Sequence, residues 1–137
     1  MNSIDLLFRS SRFNLSKVGD HFINPCCFGE DFAAWLRERL AERGIEADPP
    51  GQEDWGWYLG LSHAGGRYLL GVSGTADESS ANENDGEWRI IIDKSRSLGE
   101  RLRGAGKITA DDPVVALLEE ILGGQDDFLA VGREPSR

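Results

Sequence analysis

Residues 55–74, WGWYLGLSHAGGRYLLGVSG, restrict the fold more than any other stretch of the chain. Trp55, Trp57, Leu59 and Leu61 recur at every second position, which places them on one side of a strand. Ala64, Gly65 and Gly66 supply turn residues before RYLLGVSG, so the stretch reads as a β-hairpin. Hairpins imply antiparallel pairing. Trp88, Ile90 and Ile92 alternate after the polar stretch TADESSANENDGE and extend the hairpin to a three-stranded meander.

The remaining segments fit around that meander. Ile4, Leu6 and Phe8 alternate as a first strand, residues 12–15 read as a second short extended piece, and DFLAV at 127–131 reads as a short final strand. Between them, EDFAAWLRERLAER at 30–43 sets Phe32, Trp35, Leu36 and Leu40 on one helical face, opened by acidic residues and closed by Arg43 and Gly44. Two prolines and a glycine in IEADPPGQED forbid continued helix and predict a loop. SLGE at 97–100 has the spacing of a capping box for a turn or two of helix. Asp112 and Pro113 then open a helix with Val114, Leu117, Leu118, Ile121 and Leu122 on its apolar face, ending at Gly123. The expected architecture is one α+β domain over residues 1–137. It is a two-layer sandwich of a mainly antiparallel sheet of four to five strands with two main helices on one face. Residues 76–87 are expected to form a flexible acidic loop and 132–137 a frayed tail.

A chain of 137 residues with four Trp and six Phe has enough apolar volume for such a core. Its two cysteines are adjacent and cannot close an ordinary disulfide loop, which suits a reducing cytosol. The N-terminus lacks the features of a secretory signal, and no apolar run has the length of a membrane span. The expected location is therefore cytoplasmic. A formal charge of −9 repels nucleic acid and anionic lipid, leaving a basic or neutral protein as the expected partner. Charge is uneven: Asp77, Glu78, Glu83, Asp85 and Glu87 crowd one segment, and Lys94, Arg96, Arg101, Arg103 and Lys107 the next. Mutual screening of the two blocks is the simpler reading, with an anion site at 94–107 as the alternative.

Two segments concentrate reactive groups. His21, Cys26 and Cys27 could form a thiolate–imidazole pair ahead of a helix N-terminus, although Ile23, Pro25 and Phe28 around them favour core packing. Gln52, Glu53, Asp54, Trp55 and Trp57 join a carboxylate pair to indole rings, a setting for ligand or partner binding or for acid–base work. The competing view puts Trp55 and Trp57 on one face under the helices, with Glu53 and Asp54 as a solvated loop end. No metal or cofactor is implied. Zinc spacing is missing around Cys26, Cys27, His21 and His63, and Glu30, Asp31, Glu53 and Asp54 lack the calcium-loop pattern. GLSHA at 60–64 departs from the nucleophile elbow at Ala64, and GAGK at 104–107 departs from the phosphate loop at Arg101 and Ile108.

The strings HFINPCCFGEDFAAWL and PPGQEDWGW resemble segments of a group of small bacterial proteins, over roughly residues 19–61. That resemblance implies a bacterial cytosolic protein and assigns no catalytic residue. The expected function is a non-catalytic protein-binding module, of the immunity-protein or adaptor kind. The alternatives are a small-molecule enzyme using Cys26 or Cys27 with His21, or Glu53 with Asp54, and a domain that self-associates into a homo-oligomer.

Overall fold

The computed structural model describes residues 2–17, 19, 22 and 27–134. In chain order the elements are β1 (Ser3–Ser10), α1 (Glu30–Glu42), β2 (Gly51–Glu53), β3 (Gly56–His63), β4 (Gly66–Ala76), β5 (Gly86–Lys94), α2 (Leu98–Arg103), α3 (Pro113–Gly123) and β6 (Leu129–Arg133). The fold is α+β, with a single six-stranded sheet in the order β2-β3-β4-β5-β1-β6. Every neighbouring pair is antiparallel.

Alternation along the strands builds the core directly. Register aligns Leu6 with Ile90, Ile90 with Val72 and Val72 with Trp57, and the next row runs Ile4, Ile92, Leu70 and Leu59. Nearly all of these side chains are buried, Ile4 being half-buried. Helix α1 seats Phe32 against Phe8 and Trp88 on this face, with ring centroids 5.3 Å from each. Helix α3 reaches the same face through Tyr68, whose hydroxyl donates to the N-cap Asp112 at 2.9 Å. Each such apolar side chain contributes roughly 1.5–3 kcal/mol by leaving water, so a core of this extent needs no staple. Gly74, in register with Trp88, leaves room for the indole; a Cβ there would stand 2.8 Å from the ring.

Both sequence-marked helix starts are present. Ser97 and Glu100 form a reciprocal capping box on α2, and Asp112 accepts from the Val114 amide at 2.8 Å with Pro113 following it.

Several expectations are corrected. The sheet has six strands rather than four to five, because Gly51–Glu53 in the expected loop pairs with Gly56–Tyr58. An edge strand of three residues behind two prolines is too short to show a period of two. Residues 12–15 form no strand: the Asn14 side chain accepts from the Ser16 and Lys17 amides, bending the chain while Phe13 and Leu15 enter the core. Two buried residues on either side of a turn-forming Asn imitate strand alternation. The final strand lies two residues later than expected, and residues 132–134 are held in place, the Glu134 amide donating to Asp5 at 3.0 Å. The 77–85 connection is tied across its base by the Asp77 amide on the Asp85 carbonyl at 2.8 Å. Asn84 in turn accepts from the Leu15 amide and the Ser16 hydroxyl.

Candidate functional site

The sheet face turned away from the core carries different chemistry. Its rows pair Tyr58 with Gly71 and Gly71 with Ile91, and beside them Gly60 with Leu69 and Leu69 with Asp93. Leu69 is 39% exposed, although Leu70 next to it is fully buried. Trp55 joins this outward face from the Asp54–Trp55 turn between β2 and β3. A Cβ on Gly71 would lie 2.5 Å from its indole, so the ring rests on the glycine. Trp55 is nonetheless 45% exposed. Tyr58 lies over Gly51 in the same way, where a Cβ would meet its hydroxyl end at 2.7 Å.

Trp55 and Trp57 therefore do not share a face under the helices. Trp57 is in the core at 4% exposure. The reason is local: Trp55 sits in the turn, and Gly56 enters β3 at φ 157 with its Cα against the Val72 carbonyl, where a Cβ would stand 2.3 Å away. The period of two starts only after that glycine. Gly56 thus permits a close backbone approach to β4, and the expectation that Trp55 shares the face of Trp57 fails.

Cys27 and the 52–57 hairpin, far apart in sequence, meet in space. The Cys27 thiol donates to the Asp54 carbonyl at 2.9 Å. The Cys27 carbonyl accepts from the Trp57 indole N–H at 3.0 Å and from the Gln52 amide at 3.4 Å. Phe22 adds an edge contact to Trp57, centroids 5.2 Å apart. The segment leading into α1 thus braces the turn that carries Trp55, which neither string revealed alone. The signal available in sequence was the indole N–H of a Trp bound for the core, which has to find an acceptor. His21 and Cys26 lie outside the described residues. Glu53 and Asp54 are both exposed at the tip of the hairpin. His63 lies at the other end of β3, beside Ile45 and Pro113, and is not part of this cluster.

The reading of the charged blocks as mutually screening is overturned. Residues 77–85 precede β5 and residues 95–107 follow it, and a strand of nine residues holds them roughly 26 Å apart. The acidic segment finds its cation elsewhere, Asp77 pairing with Arg9 at 2.9 Å. Bonds to Ser79, then the Arg9 charge, hold the Asp77 carboxyl below the usual carboxylate range.

One buried polar cluster was visible only as a helix cap. Asp112, 2% exposed, accepts from Tyr68 and the Val114 amide and stands 3.5 Å from the Lys94 ammonium. Burial first, and then the bond to Asp112, push the Tyr68 hydroxyl well above the ordinary tyrosine range. Asp112 and the Tyr68 hydroxyl satisfy each other at the base of α3 and are buried, so they serve the fold. Among the described residues, no three His, Cys, Asp or Glu side chains converge on a metal-sized point. No helix among them is long and apolar enough to cross a membrane. No family model, curated protein or solved structure matches the chain.

Proposed function

We propose that this chain is a non-catalytic protein-binding module whose contact surface is the outward sheet face around Trp55. The observation that carries the reading is the Trp55 indole, held on Gly71 and braced from Cys27, yet 45% exposed. In this reading the molecule is a two-layer sandwich with one sheet face left for a partner. An indole fixed before binding loses little freedom on contact, and Trp is the residue type that most often anchors interfaces. Leu69 extends the apolar area, and exposed Glu53 and Asp54 form an acidic rim. With a net charge of −9, this rim speeds encounter with a basic partner more than it adds affinity.

The bonding of Cys27 and the exposure of Glu53 and Asp54 support this reading over the enzyme alternatives. The thiol donates to a backbone carbonyl, and Glu53 and Asp54 are both exposed residues. The sheet edges support it over self-association, since β2 has three residues and β6 has five, with Arg133 engaged by Glu119 at 2.8 Å. Capture from bacterial lysate on immobilised protein tests the proposal when wild type is run beside Trp55→Ala and Leu129→Ala, the latter removing an exposed leucine on β6. Proteins lost with Trp55→Ala alone support it, and an identical set on all three surfaces overturns it. Glu53→Gln with Asp54→Asn should slow association and flatten its salt dependence while leaving dissociation nearly unchanged.

A further inference from the structure

The basic segment after β5 is folded around a hollow. Asn2, Arg96, Arg101 and Lys107 line an open concavity of about 380 Å³. Its frame is fixed by backbone acceptors. The Arg96 Nε donates to the Ala105 carbonyl at 3.0 Å and its Nη2 to the Glu100 carbonyl at 3.4 Å. The Asn2 amide donates to the Lys94 and Gly106 carbonyls, and its oxygen accepts from the Ile108 amide at 2.9 Å. One asparagine thereby fastens the N-terminal strand to both ends of the loop.

The cations here contrast with five arginines elsewhere in the molecule. Arg9, Arg12, Arg67, Arg89 and Arg133 each meet a carboxylate. Among the described residues Arg96, Arg101 and Lys107 have no carboxylate within ion-pair distance, in a chain with 24 acidic and 15 basic residues. Glu100, in the same segment, is turned back to accept from the Ser97 amide at 3.0 Å and covers Gly106. Asp112 is occupied by Tyr68 and Lys94. Three like charges held around one hollow repel one another unless an anion lies between them.

We infer that this concavity binds a small polyphosphate anion, diphosphate being the smallest member of the class. Guanidinium and ammonium groups together supply a directional fork and a point charge for phosphoryl oxygens. A concavity of about 380 Å³ has room for more than one phosphoryl group. Among the described residues no aromatic ring lines it, so recognition is of the phosphate groups and not of a stacked base. The overall charge of −9 opposes an extended anionic surface such as a membrane or a duplex, whereas a small ion responds to the local field.

Calorimetric titration with sodium pyrophosphate at low salt is the test, with inorganic phosphate, a short DNA duplex and phosphatidylserine vesicles as parallel arms. The expected result is saturable binding of pyrophosphate, at least about tenfold tighter than phosphate, and no stronger response to duplex or vesicles. Arg101→Gln with Lys107→Gln removes two exposed cations that hold no fold contact, and should weaken pyrophosphate about tenfold or more. Arg103→Gln with Lys17→Gln changes net charge equally without touching the concavity, and should shift affinity less than about twofold. Equal losses in both double variants, no binding at about 1 mM pyrophosphate, or tighter binding to duplex or vesicles would each overturn the assignment. The residues differ from those at Trp55, so either proposal can fail without the other.

Discussion

Leu69 and Leu70 are consecutive residues of one strand and live in different solvents. Leu70 is fully buried in the row of Ile4, Ile92 and Leu59, whereas Leu69 faces outward beside Gly60 and Asp93 at 39% exposure. The same backbone thus carries a face selected for close packing and a face whose apolar groups remain available. On the inner face, helices supply the cover. On the outer face, the protein's own turn covers Gly71 with a single indole and leaves half of that ring in water. Close packing belongs to one side of the sheet, and the other side keeps apolar groups within reach of solvent. Substitutions made on one side should not read out on the other.

The largest expected effect comes from breaking the inner face. Leu70→Ala should cost about 3–5 kcal/mol, since the lost transfer energy is joined by a cavity that a rigid sheet cannot close. Leu69→Ala, one residue away, should cost about 0.5 kcal/mol or less, as exposed surface substitutions do. Urea unfolding of both variants measures the gap. Comparable losses would show that the outer face is also packed and would remove the basis for the division.

The polar cluster under α3 is the next test, because it stabilises the inner face by bonding rather than packing. Asp112→Ala removes a helix cap and strands the Tyr68 hydroxyl, and should cost about 2–3 kcal/mol. A pH prediction accompanies it. Burial, followed by the Asp112 bond, raises the Tyr68 hydroxyl above the ordinary value of 10.0, so the folded state favours its neutral form. That contribution is complete below pH 10.0 and is lost as pH rises through the folded value. Tyr68→Phe should flatten the alkaline limb of the stability profile. An unchanged limb would place the alkaline transition at another group.

These two regions were unequally legible in the sequence. The inner face was readable because burial imposes a period of two on β1, β3 and β5 and a helical spacing on α1 and α3. The caps at Ser97 and Asp112 were readable because a helix start needs a side-chain acceptor at a definite position. The outer face was not readable from period. Trp55 continues the alternation of Trp57 and Leu59 in the string, and only the turn geometry at Gly56 sends its ring to the other side. The bond network of Cys27 is equally invisible, since it joins backbone carbonyls to side chains across 25 to 30 positions. The two charged blocks misled for a related reason. Adjacency in sequence suggested contact, but the intervening residues are an extended strand, the conformation that separates its ends furthest.

On the outer face, Gly71→Ala sharpens the comparison without removing any aromatic group. The new methyl would displace the Trp55 ring, a side chain rather than backbone, so the stability cost should be about 1 kcal/mol. Partner binding should fall by about tenfold or more, because a displaced indole has lost its preorganised position. Fluorescence of the variant should report the Trp55 change against the three other tryptophans, and partner affinity gives the second readout. Full affinity with a displaced ring would show that the anchor is elsewhere on the face.

The smallest effect should come from the brace itself. A thiol is a weak donor, so Cys27→Ala removes one poor hydrogen bond to Asp54 and a little packing, about 0.5 kcal/mol in all. The Cys27 carbonyl would still accept from Trp57 and Gln52, which keeps the segment docked on the hairpin. Cys27→Ser tests the donor directly: a hydroxyl donates more strongly than a thiol in the same position and should restore the brace. If the proposed binding role is right, both variants retain partner affinity within about twofold, because the thiol positions a turn and transfers nothing. An activity abolished equally by alanine and serine, with stability and partner affinity intact, would instead assign the thiolate a chemical role. It would move the functional centre from the open sheet face to the segment that braces it.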